Sequence, residues 1–254
     1  MKLIIATAIH NRLLITKAFL KAMRRVENDT GVKTVASVTH DDEECISLCE
    51  QYGVEYIRHP NKPVGKKFNA AVTLAKKHNP SHVMILGSDD IPSTSFIEHS
   101  LTLKGDIIGI LGMYFWGLNN RRAGFLRFGY WKTKTLLGAG KLLSKKVLDA
   151  CDWQPWPDGA NYGMDSKMMG RVKSCLNKQG VIAETYKWRL ADKGLFLVDV
   201  KYGQHISSLS PLMRRGLTDE NDYDVIMRHL PKDEVEYLMW LKDVVIERHK
   251  GKNG

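Results

Sequence analysis

The chain has 254 residues, of which 43% are hydrophobic and 26% charged, and its formal net charge is +10. This composition is typical of a soluble globular protein, and no apolar run is long enough to cross a bilayer. Residues 1–10 also lack the apolar core and cleavage site of a signal peptide. The four cysteines are scattered without metal-like spacing, which indicates reduced thiols and a cytoplasmic protein, in the host cytoplasm if the source is viral.

Strand and helix signals alternate along the first hundred residues. Short apolar runs between turn residues predict strands, and amphipathic periodicity predicts helices. The predicted strands are 2–9, 34–39, 54–58, 82–88 and 106–113, and the predicted helices are 14–26, 43–52, 67–78 and 93–103. This alternation predicts right-handed βαβ units and therefore an α/β fold with a mostly parallel central sheet flanked by helices.

The second half of the chain is less regular. We predict strands over 124–131, 181–188 and 195–202 and helices over 143–151 and 163–178. From Pro211 onward the chain reads as mostly helical, with Pro231 opening the last helix. No linker is evident, so we expect one domain over 1–210 and a helical C-terminal extension over 211–254 that packs on the same domain.

Two adjacent acids, Asp89 and Asp90, follow the predicted strand 82–88, and Pro92 prevents that strand from continuing in a central position. Ligands of open α/β sheets bind just beyond the carboxyl ends of strands. Two carboxylates there supply oxygen ligands for Mg²⁺ or Mn²⁺, and such an ion can hold a diphosphate. The alternative is a solvated turn in which Ser88 and Asp89 cap the next helix.

One long stretch, residues 107–148, contains no acidic residue. Its basic residues alternate with aromatic ones, a pattern that suits a polyanion whose phosphates are neutralised and whose bases stack. The alternative is a basic solvated face around a few buried aromatic side chains. The basic members are Arg121, Arg122, Arg127, Lys132, Lys134, Lys141, Lys145 and Lys146, and the aromatic members are Tyr114, Phe115, Trp116, Phe125, Phe128, Tyr130 and Trp131.

Several short motifs, taken in order, resemble the GT-A nucleotide-sugar glycosyltransferases, especially the family 2-like inverting enzymes. The resemblance covers roughly residues 1–205 and implies a GT-A fold. It also implies a hexosyl- or pentosyltransferase that uses a nucleoside-diphosphate sugar, most simply a UDP-sugar, together with Mn²⁺ or Mg²⁺. The matching segments are 6–12, 40–42, 65–71, 87–90, 138–144, 163–165 and 202–205. Two positions depart from the family pattern, since Ser88 replaces the first acid of Asp-x-Asp and Met164 replaces a glutamate before Asp165.

The same resemblance implies roles for individual residues. Asp90 would bind the metal together with His205, and Asp165 would be the base that takes the proton of the acceptor hydroxyl. The implied donor-binding residues are Thr7, Arg12, Asp41, Asp42, Lys66 (or its neighbour Lys67), Asn69 and Asp89. Structural alternatives remain open, because aspartates also cap helices, lysines also begin helices in solvent and histidines also form hydrogen bonds at strand ends.

The acid-free stretch lies where this family builds its acceptor side. The implied acceptor-binding residues are Arg121, Arg122, Arg127, Trp131 and Trp153. Our leading hypothesis for the acceptor is a hydroxymethylated base in DNA, as used by phage DNA-modifying glycosyltransferases, with the base flipped out and stacked. The alternative acceptor is a cell-envelope glycan or a lipid-linked molecule whose anionic headgroups would meet the basic face.

Two other functional classes remain. A nucleotidyltransferase would need a glycine-rich loop after the first strand, and residues 6–12 contain no glycine. A catalytically inert nucleic-acid-binding protein would use the basic stretch alone, but it would not explain why acids gather at the ends of several strands.

Overall fold

The computed structural model describes residues 1–118, 122–127, 136–201 and 222–250. These residues form a seven-stranded central sheet and a smaller four-stranded sheet. The central sheet contains β1 (Leu3–Ile9), β2 (Lys33–Thr39), β3 (Glu55–His59), β4 (His82–Ile85), β6 (Ile107–Ile110), β9 (Lys141–Ser144) and β10 (Thr185–Trp188). The second sheet contains β5 (Asp90–Pro92), β7 (Gly112–Gly117), β8 (Arg122–Arg127) and β11 (Leu197–Lys201).

The central sheet has the strand order β10-β6-β9-β4-β1-β2-β3. Neighbouring strands are parallel except at β9, which runs antiparallel to both β4 and β6. The second sheet has the order β5-β11-β7-β8. The predicted mostly parallel central sheet is therefore confirmed.

Helices cover both faces of the central sheet. They are α1 (Leu13–Thr30), α2 (Glu43–Gln51), α3 (Val64–Ala75), α4 (Thr94–Thr102), α5 (Lys145–Ala150), α6 (Met164–Lys178), α7 (Asp222–His229) and α8 (Lys232–Lys250). Successive residues of β1 point to opposite faces, so Ile5 joins the core that includes α1 and α2, while Ile4 joins the core that includes α3 and α6. Burial on both faces explains why β1 is apolar throughout.

Several predicted boundaries differ from the structure. The predicted strand 82–88 ends at Ile85, and residues 90–92 form β5 in the second sheet. Because β5 is an edge strand, Pro92 is tolerated there without a backbone N–H. The predicted strand 106–113 is two strands, β6 and β7, which belong to different sheets.

The predicted helix 143–151 begins too early, because Leu143 belongs to β9 together with Leu142. Both leucines are fully buried, one in each core, as expected for a central strand. Ser144 then caps α5 by accepting a hydrogen bond from the Val147 N–H at 3.3 Å. Of the predicted strand 124–131, residues 124–127 lie in β8 and residues 128–131 lie outside the described part of the chain.

The C-terminal helices pack on the rest of the chain. Arg25 of α1 pairs with Glu234 of α8 at 2.7 Å, and the same guanidinium donates to the carbonyl of Pro92 and the hydroxyl of Thr94. The predicted domain boundary at residue 210 lies outside the described residues. Across the described ranges, no helix combines the length and the apolar character that a membrane span requires.

Candidate functional site

A cleft of about 500 Å³ opens beyond the carboxyl ends of β1 and β4. This is where parallel sheets bind ligands, and the volume suits a small molecule. Its walls come from the turns after β1 and β4, the first part of α3, the segment before α6 and the end of β11. The polar lining residues are His10, Asn11, Arg12, Asn61, Lys62, Lys67, Ser88, Asp89, Asn161, Tyr162 and Lys201.

Three carboxylates, of which Asp89 lines the cleft, form a cluster: Asp89, Asp90 and Asp199 offer oxygen atoms that all lie within 4.8 Å of one another. The pairing of β5 with β11 brings them together, because it sets Asp90 directly opposite Asp199 in an antiparallel register. The Val200 N–H also donates to the carbonyl oxygen of Asp89 at 2.9 Å. The backbone of β11 therefore positions the cluster as much as the Asp-Asp turn does.

Asp90 is the most buried of the three acids, with 5% of its surface exposed. Burial, followed by the charges of Asp199 and Asp89, raises the pKa of Asp90 well above its usual range. Its carboxylate accepts a hydrogen bond from the Gly87 N–H at 2.5 Å. A side chain at position 87 would collide with this arrangement, because a Cβ there would lie 2.7 Å from Oδ1 of Asp89.

Two cations partly balance the three acids. Arg12 donates to Asp89 at 2.7 Å and to the Ser88 hydroxyl at 2.8 Å, and Lys201 donates to Asp199 at 2.5 Å. Burial alone would lower the pKa of both side chains, but the neighbouring carboxylates outweigh it and raise both pKa values. The cluster thus keeps one formal negative charge more than its two cations neutralise.

This donor set fits a divalent metal ion. Magnesium and manganese prefer carboxylate oxygens, and a buried carboxylate with a raised pKa is stabilised as an anion by a bound cation. Asp199 was missed in the sequence analysis, although a signal existed. It is the one acid within the otherwise apolar run from Leu197 to Val200.

The cleft is also lined by Lys67. Its ammonium donates to the carbonyl of Ile9 and the hydroxyl of Thr39, both at 2.5 Å. Burial lowers the pKa of Lys67 to about 8. Burial, and after it the charge of Lys67, also lowers the pKa of His10, whose ring nitrogen lies 3.0 Å from the same hydroxyl. Of the two candidate lysines, Lys67 lines the cleft, whereas Lys66 is exposed and pairs with Asp158 at 3.2 Å.

Four other predicted donor-binding residues are not among the residues that line the cleft. Asp42 caps α2 through the Cys45 N–H and also accepts from the Asn11 N–H at 2.6 Å. Asp41 is exposed and Thr7 is fully buried in β1. Asn69 is buried and holds the backbone of Trp156 through two hydrogen bonds of 2.9 and 3.0 Å. Asp42 and Asn69 thus make structural hydrogen bonds, and donor binding by these four residues stays a prediction.

Asp165, the predicted base, lies in the first turn of α6, directly after the cleft-lining residue Met164. Its carboxylate packs on the backbone of Gly138, where any Cβ would collide with it.

Trp153, a predicted acceptor contact, is only 1% exposed, and its indole N–H donates to Asp149 at 2.8 Å. It is a core residue, so we leave it out of the acceptor site.

The acid-free stretch is only partly described. His205, Arg121 and Trp131 lie outside the described residues, and Arg122 and Arg127 occupy the two ends of β8. Its aromatic members Phe115, Trp116 and Phe125 are buried, which differs from a stacking surface. Among its lysines, Lys141 is fully buried, while Lys145 and Lys146 pair with Asp149 and Asp106 at 2.6 and 2.7 Å.

No protein-family model and no curated protein sequence matches the chain. Among solved structures, TarS 1–349 of S. aureus matches with a TM-score of 0.51 and 16% identity, over 79% of this chain and 60% of that one. The UDP complex of TarS 1–349 matches with the same score and identity, over 89% and 63%. A mycobacterial protein matches with a TM-score of 0.51 and 10% identity, over 83% and 70%. The chain therefore spans less than two thirds of TarS 1–349, and at these identities the likeness concerns the fold, which is the predicted α/β GT-A fold.

Proposed function

We propose that the protein is a metal-dependent glycosyltransferase that moves a sugar from a UDP-sugar to a hydroxyl acceptor with inversion at the sugar carbon. The observation that carries this proposal is the cluster of Asp89, Asp90 and Asp199 at the strand ends that border the cleft. The GT-A fold supports it, as does the solved UDP complex of TarS, a protein of the same fold.

In this proposal the three carboxylates hold Mn²⁺ or Mg²⁺. The metal ion, when bound, supplies positive charge that stabilises a departing diphosphate. Arg12 stays fixed by Asp89 and Ser88 and adds a positive charge at the same end of the cleft. Lys67 and His10 also line the cleft, and in this proposal they face the nucleoside; the pKa of Lys67, about 8, lets its side chain be neutral or charged near physiological pH.

Asp165 is the proposed general base. A single displacement needs one group that takes the acceptor proton as the new C–O bond forms and the bond to the diphosphate breaks. Asp165 follows Met164, which lines the cleft. One base acting in one displacement inverts the configuration of the sugar carbon.

For the acceptor, we propose a hydroxymethylated base in DNA. The formal charge of +10 and the acid-free stretch 107–148 support a polyanion. In this proposal Arg121, Arg122 and Arg127 contact phosphates, and Trp131 stacks on the flipped base. His205 remains a candidate additional metal ligand. The four free cysteines agree with a cytoplasmic location, which we retain as part of the proposal.

The donor site is tested by thermal stabilisation and turnover with UDP-sugars in the presence of Mn²⁺. We expect Asp90→Asn to abolish the Mn²⁺-dependent stabilisation and to lower turnover at least about a hundredfold, because the most buried ligand is lost. Asp158→Asn is the matched control, since Asp158 is an exposed acid paired with Lys66. Normal turnover of chelator-treated wild-type protein would contradict the proposal.

The base and the acceptor are tested together. Asp165→Asn should lower kcat by about 10² to 10⁴-fold and leave the Kd for UDP unchanged. With hydroxymethylated DNA as acceptor we expect sugar transfer that declines steeply with added salt, and with plain DNA none. Transfer to a lipid-linked or glycan acceptor instead would reject the DNA part alone.

A further inference from the structure

Lys201 occupies an unusual position for a lysine. It is the last residue of β11, its side chain is 9% exposed, and its ammonium lies 2.5 Å from Oδ2 of Asp199, whose side chain is 14% exposed. It also lines the cleft. Lys201 therefore has two possible partners, because it pairs with Asp199 of the acid cluster and also borders the cleft in which a ligand would bind.

The Lys201 ammonium pairs with a carboxylate that the metal site would use. Asp199 faces Asp90 across the β5–β11 pair, so a metal ion bound by the cluster competes with Lys201 for Asp199. An ammonium and a divalent cation held by the same carboxylate also repel each other. In the absence of a nucleotide, a metal ion must therefore displace Lys201 from Asp199 in order to bind.

A nucleoside diphosphate changes this balance, because its phosphates offer Lys201 a new partner. We propose that Lys201 is an internal counter-ion that makes metal binding depend on the nucleotide: it pairs with Asp199 in the nucleotide-free protein and moves to the diphosphate when the nucleotide binds, which leaves Asp199 to the metal. This inference rests on the proposed function, since it takes the cluster as a metal site and the cleft as a diphosphate site.

The geometry makes such a movement easy. Lys201 and Asp199 are two residues apart on one strand, so their side chains share a face, and the flexible lysine stem can turn without any change in the backbone. The ammonium also makes a cation–π contact with the ring of Phe115, whose centroid lies 5.9 Å away. This contact stabilises the charge of Lys201 beside the site. Arg12 differs, because its two hydrogen bonds to Asp89 and Ser88 hold it in place.

Reciprocity follows from this arrangement. If the nucleotide releases Asp199 for the metal, the metal must strengthen nucleotide binding by the same factor. Part of any such coupling comes from direct contact between metal and phosphate. The part that belongs to Lys201 is therefore seen most cleanly in the protein without nucleotide, where the lysine weakens metal binding.

The experiment measures the Kd of Mn²⁺ by electron paramagnetic resonance, with and without UDP, for the wild-type full chain and for Lys201→Met. Without UDP, we expect Lys201→Met to bind Mn²⁺ about tenfold more tightly than wild type. UDP should then increase the Mn²⁺ affinity of the variant less than it increases that of wild type, by a similar factor. Lys145→Met, which removes an exposed charge, is the matched control and should match wild type. Lys201→Gln serves as a second variant if Lys201→Met folds poorly.

The outcomes separate the two proposals. If both Lys201 variants bind Mn²⁺ alone no more tightly than wild type, the counter-ion role is overturned while the metal site stands. If wild type binds no Mn²⁺ with or without UDP, the proposed metal site is overturned and the inference with it. Tighter Mn²⁺ binding by the variants together with reduced coupling supports the inference.

Discussion

Two lysines in this protein, Lys201 and Lys141, are both buried, but their electrostatic surroundings differ. Lys201 ends β11 beside Asp199, and this carboxylate raises its pKa in spite of burial. Lys141 begins β9, is fully buried, and its ammonium makes no hydrogen bond to any described residue. Burial lowers the pKa of Lys141 to about 8, with the charge of Asp165 acting in the opposite direction.

The difference between Lys201 and Lys141 shows that burial of a charged side chain does not by itself identify a functional site. At the acid cluster Arg12 and Lys201 each have an acid within hydrogen-bond distance, so the charges stabilise one another. At Lys141 the protein carries a desolvated charge without such a partner, and this lowers the free energy of unfolding at neutral pH. Removing a cation that has an acid partner should therefore lower the free energy of unfolding, whereas removing Lys141 should raise it.

The largest effect is expected at Arg25, a partly buried cation with several partners. Its guanidinium bonds Glu234, Thr94 and the carbonyl of Pro92. Arg25→Met should lower the free energy of unfolding by about 3 to 5 kcal/mol, because Glu234 would remain as an uncompensated buried charge. Urea denaturation measures this effect.

The neighbouring variant Arg24→Met is the control for this prediction. Arg24 is 52% exposed and pairs with Glu27 on the same helix, so its removal should cost less than about 1 kcal/mol. Equal losses for the two variants would mean that the pairing of Arg25 does not matter.

Lys141→Met should act in the opposite direction and stabilise the protein at pH 7. The folded-state pKa of about 8 lies below the ordinary 10.5, so between these values the unfolded chain holds a proton that the folded chain lacks. Stability therefore rises with pH across this window, and below it the lysine costs about 3 kcal/mol. The gain of Lys141→Met should shrink to nothing as the pH rises from 8 to 10.5.

Chemical denaturation at several pH values tests this prediction, with Lys145→Met as the control, because Lys145 is an exposed lysine in the same segment. A variant less stable than wild type at pH 7 would show that the Lys141 ammonium has a stabilising partner.

The smallest effect is expected at Lys66. Its partner Asp158 is 65% exposed, and Lys66 itself lies outside the cleft. Lys66→Ala should change the free energy of unfolding by less than about 1 kcal/mol and the Kd for UDP less than about twofold. A large loss of UDP affinity, measured by calorimetry, would return this lysine to the donor site.

The sequence predicted the fold well in the first part of the chain, where strands and helices alternate. Alternating apolar runs and amphipathic helices identified β1, β2, β3, β4 and β6, because each of them repeats a local pattern. The short strands β5 and β9 were missed. Both pair with strands that are distant along the chain, and Leu143 and Ser144 of β9 were assigned to the start of a helix.

The site was predicted only in part for the same reason. Asp89 and Asp90 could be proposed because they end a buried strand, and Arg12 because of the motif that contains it. Asp199 gave a weak signal, since its closeness to Asp90 depends on pairing between β5 and β11. The burial of Lys141 and Trp153 depends on packing between distant elements, which no local pattern expresses.

The β5–β11 pair also bears on how the protein is made. A ribosome must add roughly a hundred residues after Asp90 before Asp199 emerges to lie beside it. At about 5 to 20 residues per second, this delay lasts some five to twenty seconds. During that interval the nascent chain carries most of its parallel strands but lacks the strand that completes the acid cluster, so the cluster is assembled late in synthesis.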